Sequence, residues 1–175
     1  SEWVSTKPFS TALGELRAGI TNEVGKVSAP NMTELAKFYL HYGFGVEARQ
    51  ILATIKSDTD NIGVLMDLAD IVDHGFAPDR SELHRYLECD SPIAMWSVLA
   101  HRHLDPDAKL HPSTILKEFN ALPPHLRRHL GPILAKRLIE GQQQQAGERI
   151  SHSLGRTPKT QSSASELLKL DSKQP

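Results

Sequence analysis

The stretch Met32–Tyr42, with the sequence MTELAKFYLHY, decides the fold of this chain. Its apolar residues recur at steps of three and four, which is the spacing of one face of an α-helix. Asn31 precedes the stretch as a candidate N-cap, and Gly43 and Gly45 follow it as residues that tolerate positive φ. A second amphipathic segment, about Val46–Lys56, comes next. We therefore predict a helical hairpin here.

The same helical periodicity continues along most of the chain. Pro92, Pro112 and Pro124 each stand near the start of a predicted helix, where a missing N–H costs little. No segment alternates Val, Ile or Thr with polar residues for long enough to predict a β-strand. Further helices are predicted at about Asn61–Asp73, Ser81–Cys89, Pro92–His103, Pro112–Leu122, Pro124–Gly141 and Ala146–Leu154. The predicted fold class is all-α.

A Leu-Ala pair recurs in these helices at steps of 33, 31 and 35 residues. The four pairs are Leu35-Ala36, Leu68-Ala69, Leu99-Ala100 and Leu134-Ala135. The helix after each one carries two apolar residues four positions apart, which are Ala48/Leu52, Leu83/Leu87, Ile115/Phe119 and Ala146/Ile150. Because a single hairpin cannot bury its apolar face, successive hairpins should stack. We predict that all four Leu-Ala pairs are buried.

These spacings resemble the tetratricopeptide repeat, a helical hairpin of about 34 residues. The resemblance is carried by Met32-x-x-Leu35-Ala36-x-x-Tyr39 followed by Ala48-x-x-x-Leu52. The sequence of residues 35–52, LAKFYLHYGFGVEARQIL, is also similar to degenerate repeats of this kind in bacterial proteins. The resemblance implies a right-handed α-solenoid of stacked hairpins.

The resemblance covers about residues 31–154, with repeats near 31–57, 61–90, 92–122 and 124–154. Val72, His103 and Leu138 replace the tyrosine of the family pattern, and Gly131 replaces a bulky residue. These departures put the regularity of the superhelix in question more than they do the stacking of hairpins.

The N-terminal part has the spacing of a second repeat helix, in Ala12-x-x-x-Leu16. Because the chain opens with Ser1, we interpret it as a fragment of a longer chain and residues 9–21 as the last helix of a truncated repeat. End repeats normally need a polar outer face. We therefore expect self-association through this end, or coverage of its apolar strip by Trp3 and Phe9.

The C-terminal stretch 155–175 is rich in Ser, Lys and Pro, and its only large apolar residues are Leu167, Leu168 and Leu170. Such a segment has too little apolar surface to offset its ordering entropy. We predict that residues 155–175 form a disordered tail after a helical domain over residues 1–154.

The bulk properties exclude several classes of protein. A formal net charge of −1 gives no overall basic field that would attract nucleic acid or an anionic membrane. The single cysteine, Cys89, cannot form an intramolecular disulfide, and no apolar run reaches the ~20 residues of a membrane span. The compartment stays open: cytoplasmic, or exported and periplasmic if a missing N-terminus carried a signal.

The sequence contains few candidate residues for catalysis or metal binding. His125 and His129 share one helical face, and His101 and His103 are close in sequence, but the glutamate of a zinc-protease helix and a third ligand are missing. Cys89 stands at a predicted helix end, where burial is the usual role of a lone cysteine. We predict no catalytic residue, no metal site and no cofactor.

The resemblance implies a groove lined by the first helix of each hairpin. The residues two positions after each repeat leucine, with neighbours about one turn further along, are Lys37, His41, Asp70, Asp73, His74, His101 and Lys136. Charge is uneven here, with a local net of −7 over residues 58–90 and +4 over residues 101–137. An acidic end and a basic end could orient a charged partner, although ordinary solvated helix faces are the more common explanation of such a pattern.

The predicted function is a non-catalytic scaffold that binds a partner protein or peptide in this groove. One alternative is a helical regulatory domain of an enzyme. A second is RNA binding by pentatricopeptide-like hairpins, which the acidic second unit disfavours because such readers need a cationic path for phosphates.

Overall fold

The computed structural model describes residues 8–20, 27–55 and 60–155. These ranges contain eight α-helices, one short 3₁₀ helix and no β-strand beyond an isolated bridge at Val27. The α-helices are α1 Phe9–Ala18, α2 Ala29–His41, α3 Gly45–Thr54, α4 Asp60–His74, α5 Ile93–Ala100, α6 Pro112–Ala121, α7 Pro124–Glu140 and α8 Gln144–Gly155, and the 3₁₀ helix Glu82–Tyr86 lies between α4 and α5. The prediction of an all-α fold is confirmed.

Helix α2 starts earlier than the sequence predicted. Its N-cap is Ser28, whose Oγ accepts a hydrogen bond from the backbone N–H of Asn31 at 3.5 Å. Pro30 occupies the first turn, where the helix needs no N–H donor. The prediction that Asn31 is the N-cap was therefore wrong. Gly43 ends the hairpin turn with φ +84°, as expected of a residue that follows a helix.

Gly45 has a different role from the predicted helix end, because it is the first residue of α3. A Cβ atom at Gly45 would lie 2.5 Å from the carbonyl oxygen of Ala69 on α4. Gly147 of α8 is comparable, since a Cβ there would lie 2.8 Å from the carbonyl oxygen of Ala135 on α7. Both helix pairs therefore approach at backbone distance, which only glycine permits.

The repeated residues are buried in nearly every case. Seven of the eight residues in the Leu-Ala pairs are at most 4% exposed, and Leu68 is half-buried. Gly131, the departure from the repeat pattern on α7, leaves a space that side chains of two other helices fill. A Cβ at Gly131 would lie 2.8 Å from Leu154 Cδ1 and 3.1 Å from Phe119 Cζ.

Two predicted helices are shorter than expected. The segment Ser81–Cys89 forms only the 3₁₀ helix, with Ser81 as its N-cap. Ser81 Oγ accepts a hydrogen bond from the Leu83 N–H and donates one to Asp67 on α4, which ties this segment to its neighbour. Such short 3₁₀ segments are common connectors between helices.

Helix α5 ends at Ala100, three residues before the predicted end at His103. The carbonyl of Ala100 accepts a hydrogen bond from the Ala77 N–H at 3.0 Å, and the His101 side chain reaches the carbonyl of Ser97 at 2.8 Å. Because partners outside the helix satisfy these carbonyls, the chain can leave the helix after Ala100. His103 is exposed.

The buried side chains form two clusters. The N-terminal core joins α2, α3 and α4 through Leu35, Ala36, Tyr39, Leu40, Ala48, Leu52, Leu65, Ala69 and Val72. The C-terminal core is larger and extends from the end of α4 to α8, with Leu83, Met95, Leu99, Ile115, Phe119, Leu130, Leu134, Leu138 and Ile150 among its members. Leu68 packs against both clusters and so lies at their junction.

Helix α7 crosses the C-terminal ends of the earlier helices. The Nε2–H of His125 donates to the carbonyl of His41 at the end of α2, and the Nε2–H of His129 donates to Val72 near the end of α4, each at 2.5 Å. The Nε–H of Arg137 donates to the carbonyl of His101 after α5 at 2.5 Å. In an open solenoid each repeat contacts only its neighbours. The contact between α7 and α2 is therefore not one that a simple open solenoid would contain.

The apolar strip of α1 is partly covered. Phe9 stacks on Phe38 at a centroid distance of 5.3 Å and meets Tyr42 edge-on at 4.8 Å. Leu13, Leu16 and Ile20 pack, partly buried, against the N-terminal core. Trp3, the other residue predicted to cover the strip, and residues 156–175 of the predicted disordered tail lie outside the described residues. Gly155, predicted as the first residue of that tail, is the last residue of α8.

Candidate functional site

The predicted groove residues lie in several places of the described structure. Lys37 and His41 line a cavity between α2, α4, α5, α6 and α7, which we call the central cavity. Asp70 and His74 line a second cavity at the C-terminal end of α4. His101 lines a third, after α5.

The last two groove residues are exposed on helix surfaces. The carboxylate of Asp73 lies 3.5 Å from Nε2 of His74, and Lys136 Nζ lies 3.8 Å from the carboxylate of Glu140 on the same helix. The structure therefore does not gather the seven side chains around one cavity.

The second cavity holds charges that already satisfy one another. Asp70 is 7% exposed and its carboxylate pairs with the guanidinium of Arg49 on α3. His74 Nδ1 lies 3.8 Å from the same carboxylate. Arg102 stacks over the ring of Phe76 at 3.6 Å, a cation–π contact. This arrangement ties α3 to α4 and is explained by the fold alone.

The third cavity is also built from structural contacts. The His101 and His84 rings meet edge to face with centroids 4.4 Å apart, and His84 Nε2 lies 3.1 Å from the carbonyl of Pro78. Burial is the main cause that lowers the pKa of His101, with His84 and Arg137 adding to it and the hydrogen bond to Ser97 opposing it. His101 is therefore uncharged near neutral pH.

The histidines considered as metal ligands have other partners. His125 and His129 bind two different carbonyls, which lie on α2 and α4. Within the described ranges, no three His, Cys, Asp or Glu residues are grouped so that they could hold a metal ion. These imidazoles position α7.

The central cavity is the most apolar of the cavities we considered, and it has a volume of about 440 Å³. It lies where the N-terminal and C-terminal cores meet, so five helices contribute to its wall. Its apolar lining comprises Leu40, Leu65, Leu68, Val72, Met95, Trp96, Ala121, Leu122, Pro123 and Leu126, and the remaining lining residues are Lys37, His41 and Glu118. Mostly apolar clefts of this size, with a few polar groups, are typical binding sites.

Each helix presents its part of the lining for a local reason. Leu65, Leu68 and Val72 recur at three- and four-residue steps on α4 and so share one face. Between α6 and α7, Leu122 and Pro123 have extended backbones with ψ 148°, which turns the chain. The first turn of α7 can then reach His41.

The charged residues that line the cavity lie on different helices. Lys37 on α2 pairs with Glu34 at 2.8 Å, and Glu118 stands on α6. Burial, followed by the charge of His125, lowers the pKa of His41. The imidazole of His41 is therefore neutral near pH 7, so the cavity carries one cation and one anion.

Sequence analysis missed most of the residues in this cavity. Leu65 and Trp96 stand three residues before a repeat leucine, a position that we interpreted only as hairpin packing. Trp96 is half-buried, unlike the fully buried Val98 and Leu99 that follow it. A tryptophan in a short and otherwise small-to-medium apolar helix is the one signal that could have pointed to this place.

Comparison with known proteins does not assign the chain to a family. No family model matches the chain, and no curated protein and no solved structure is significantly similar to it. None of the helices in the described part of the chain is both long enough and apolar enough to span a membrane.

Proposed function

We propose that this chain is a non-catalytic protein-interaction scaffold, a stack of tetratricopeptide-like hairpins, and that its central cavity binds an apolar segment of a partner protein. The observation that carries the proposal is the apolar cavity at the junction of the two cores, with Trp96 half-buried in its wall. Groove recognition by other helical proteins uses the same combination of aliphatic and aromatic anchors.

The polar composition of the cavity supports a peptide rather than a small polar ligand. Ten of its thirteen lining residues are apolar, so most of the binding free energy must come from burial of apolar surface. Lys37 on α2 and Glu118 on α6 would then fix the direction of the bound segment more than its affinity.

The position of the cavity supports a preformed site. Side chains of α7 bind the C-terminal ends of α2 and α4, and these same helices form two walls. A wall held by such long-range contacts loses little conformational entropy on binding, which favours affinity. In our proposal the chain is therefore a stack of helical hairpins in which α7, from the last hairpin, also binds α2 of the first.

The test is selection of binding peptides from a displayed random library on the purified chain. A variant of the cavity then decides whether the selected peptides bind there. Ala121 lines the cavity on α6 and is exposed, so Ala121→Phe fills the space without entering either core. We expect it to weaken binding at least ~10-fold, about 1.4 kcal/mol.

A matched control is Ala53→Phe, which places the same side chain on an exposed position of α3 outside the cavity lining. We expect this variant to bind the selected peptides like the original chain. Failure to enrich any peptide, or equal binding by both variants, would contradict the proposed site.

A further inference from the structure

We propose that the segment Glu166–Leu170 of this same chain occupies the central cavity and competes there with partner proteins. The inference rests on the proposed function, because it needs a cavity that accepts an apolar segment. Three observations support it, namely the composition of the segment, the charged residues of the cavity and the place where α8 ends.

The composition of the segment matches the lining. After Gly155 the chain is almost entirely polar until Leu167, Leu168 and Leu170, which fall within four positions. Three leucines cannot form a core of their own, since a short segment gains too little from burial to offset its ordering. The central cavity offers them an aliphatic and aromatic surface that is already formed.

The charged residues of the segment and those of the cavity have complementary signs. The leucines are accompanied by one anion, Glu166, and one cation, Lys169. The cavity carries Lys37 on the α2 side and Glu118 on the α6 side. The segment can therefore lie with Glu166 toward Lys37, which keeps its bond to Glu34, and with Lys169 toward Glu118.

The end of α8 lies within reach of the cavity. Leu154 fits beside Gly131 together with the ring of Phe119, and Phe119 is the neighbour of the cavity residue Glu118 on α6. Ten residues separate Gly155 from Glu166. A random coil of ten residues has a root-mean-square span of about 16–19 Å, comparable with the ~15 Å length of a ten-residue helix such as α6. Tethering then gives an effective concentration in the ~mM range.

The test is paramagnetic relaxation enhancement in the full chain. Cys89, the single cysteine, is replaced by serine, and a nitroxide is attached through Ser172→Cys. The measured signals are the methyl group of Met95 and the indole N–H of Trp96, which both line the cavity. The control carries the same label together with Leu167→Ser, Leu168→Ser and Leu170→Ser, which remove the three large apolar side chains of the segment.

The expected result is that the signals of Met95 and Trp96 broaden severalfold more in the chain with the leucines than in the serine control. Equal broadening in both chains, or none in either, would overturn the proposal. Mixing nitroxide-bearing chains without isotope with isotope-labelled chains without nitroxide tests for a second copy. Broadening in that mixture as large as in the single chain would also overturn it.

Failure of this inference can be told apart from failure of the proposed function. The chain with the three serines is screened against the peptide library. If peptides bind its cavity while the nitroxide leaves Met95 unaffected, the scaffold proposal stands and the tail proposal falls. If the tail does occupy the cavity, the serine variant must bind the selected peptides more tightly than the original chain, and equal affinities would contradict competition.

Discussion

The N-terminal core and the C-terminal core are held together in different ways. In the N-terminal core, α2, α3 and α4 follow one another along the chain, and the close approach at Gly45 is between consecutive helices. Helix α7, which contributes to the C-terminal core, binds through His125 and His129 the carbonyls of His41 and Val72 on α2 and α4, at sequence separations of 84 and 57 residues. The N-terminal core is therefore formed by helices that are neighbours in the sequence. The C-terminal core also includes a helix whose hydrogen bonds reach residues far away in the sequence.

The central cavity lies at the junction of the two cores. Leu68 packs against both cores and lines the cavity, together with residues of α2, α5, α6 and α7. On the same face of α4, Leu65 and Val72 are buried, whereas Leu68 is half-buried.

The largest effects should come from truncations within the two cores. Phe119 is 1% exposed in the C-terminal core and Leu52 is fully buried in the N-terminal core. We expect Phe119→Ala to lower the free energy of unfolding by ~3–5 kcal/mol and Leu52→Ala by ~2–5 kcal/mol. The measurement is urea unfolding followed by circular dichroism.

The shape of the unfolding curves sharpens the comparison. If the bonds of α7 couple the two cores, each variant should still unfold in one transition. A variant that shows two separate transitions would indicate that the cores unfold independently and that α7 does not tie them together.

A smaller effect is expected at the close approach between α3 and α4. Gly45→Ala places a Cβ 2.5 Å from the carbonyl oxygen of Ala69, so the helices must separate. We expect a loss of ~1–3 kcal/mol. Gly63→Ala on α4 is the control, since nothing lies within 4 Å of its Cβ, and removing a helical glycine should stabilise by ~0.5–1 kcal/mol. Thermal unfolding that moves both variants in the same direction would contradict this account of α3 and α4.

The long-range hydrogen bonds of α7 can be tested by substituting two adjacent residues, one that makes such a bond and one that does not. Arg137 is 7% exposed and donates to His101, whereas Lys136 is exposed and has only a 3.8 Å pair with Glu140. We expect Arg137→Ala to cost ~1.5–3 kcal/mol and Lys136→Ala less than ~0.5 kcal/mol. Equal losses in urea unfolding would show that the bond to His101 contributes little.

The smallest effect that we expect is a dependence of the stability of the fold on pH. Burial lowers the pKa of His41 and of His101 below the ordinary value of 6.5, so the folded chain binds fewer protons than the unfolded chain. Stability from these two groups is therefore complete above about pH 6.5 and is lost as the pH falls through their folded pKa values. We expect a lower urea midpoint at about pH 5.5 than at about pH 7.5. In the double variant His41→Gln/His101→Gln the difference should shrink, and an unchanged difference would assign it to other groups.

Local features of the fold were predictable from the sequence. The three- and four-residue periodicity predicted the helices, and the recurrence of the Leu-Ala pair at steps of 31 to 35 residues predicted seven of eight buried positions. Helix ends were less predictable. The end of α5 depends on Ala77 and on the side chain of His101, which meet the last carbonyls only in the folded chain.

The site was harder to predict than the fold. Lys37 and His41 were expected in a groove and do line the central cavity, while Asp70 and His101 line other cavities. The prediction assumed that equivalent positions on stacked helices face one surface. In the structure these positions line separate cavities, and the bonds of His125 and His129 that position α7 have partners far away in the sequence.

The most direct test of the central claim uses the three methionine methyl groups of the chain. Met95 lines the central cavity, whereas Met32 and Met66 do not belong to its lining. In a chain labelled at these methyls, titration with a library-selected peptide should shift the Met95 signal and leave the other two nearly unchanged. A shift confined to Met32 or Met66, or saturation of binding with Met95 unmoved, would contradict binding in the central cavity.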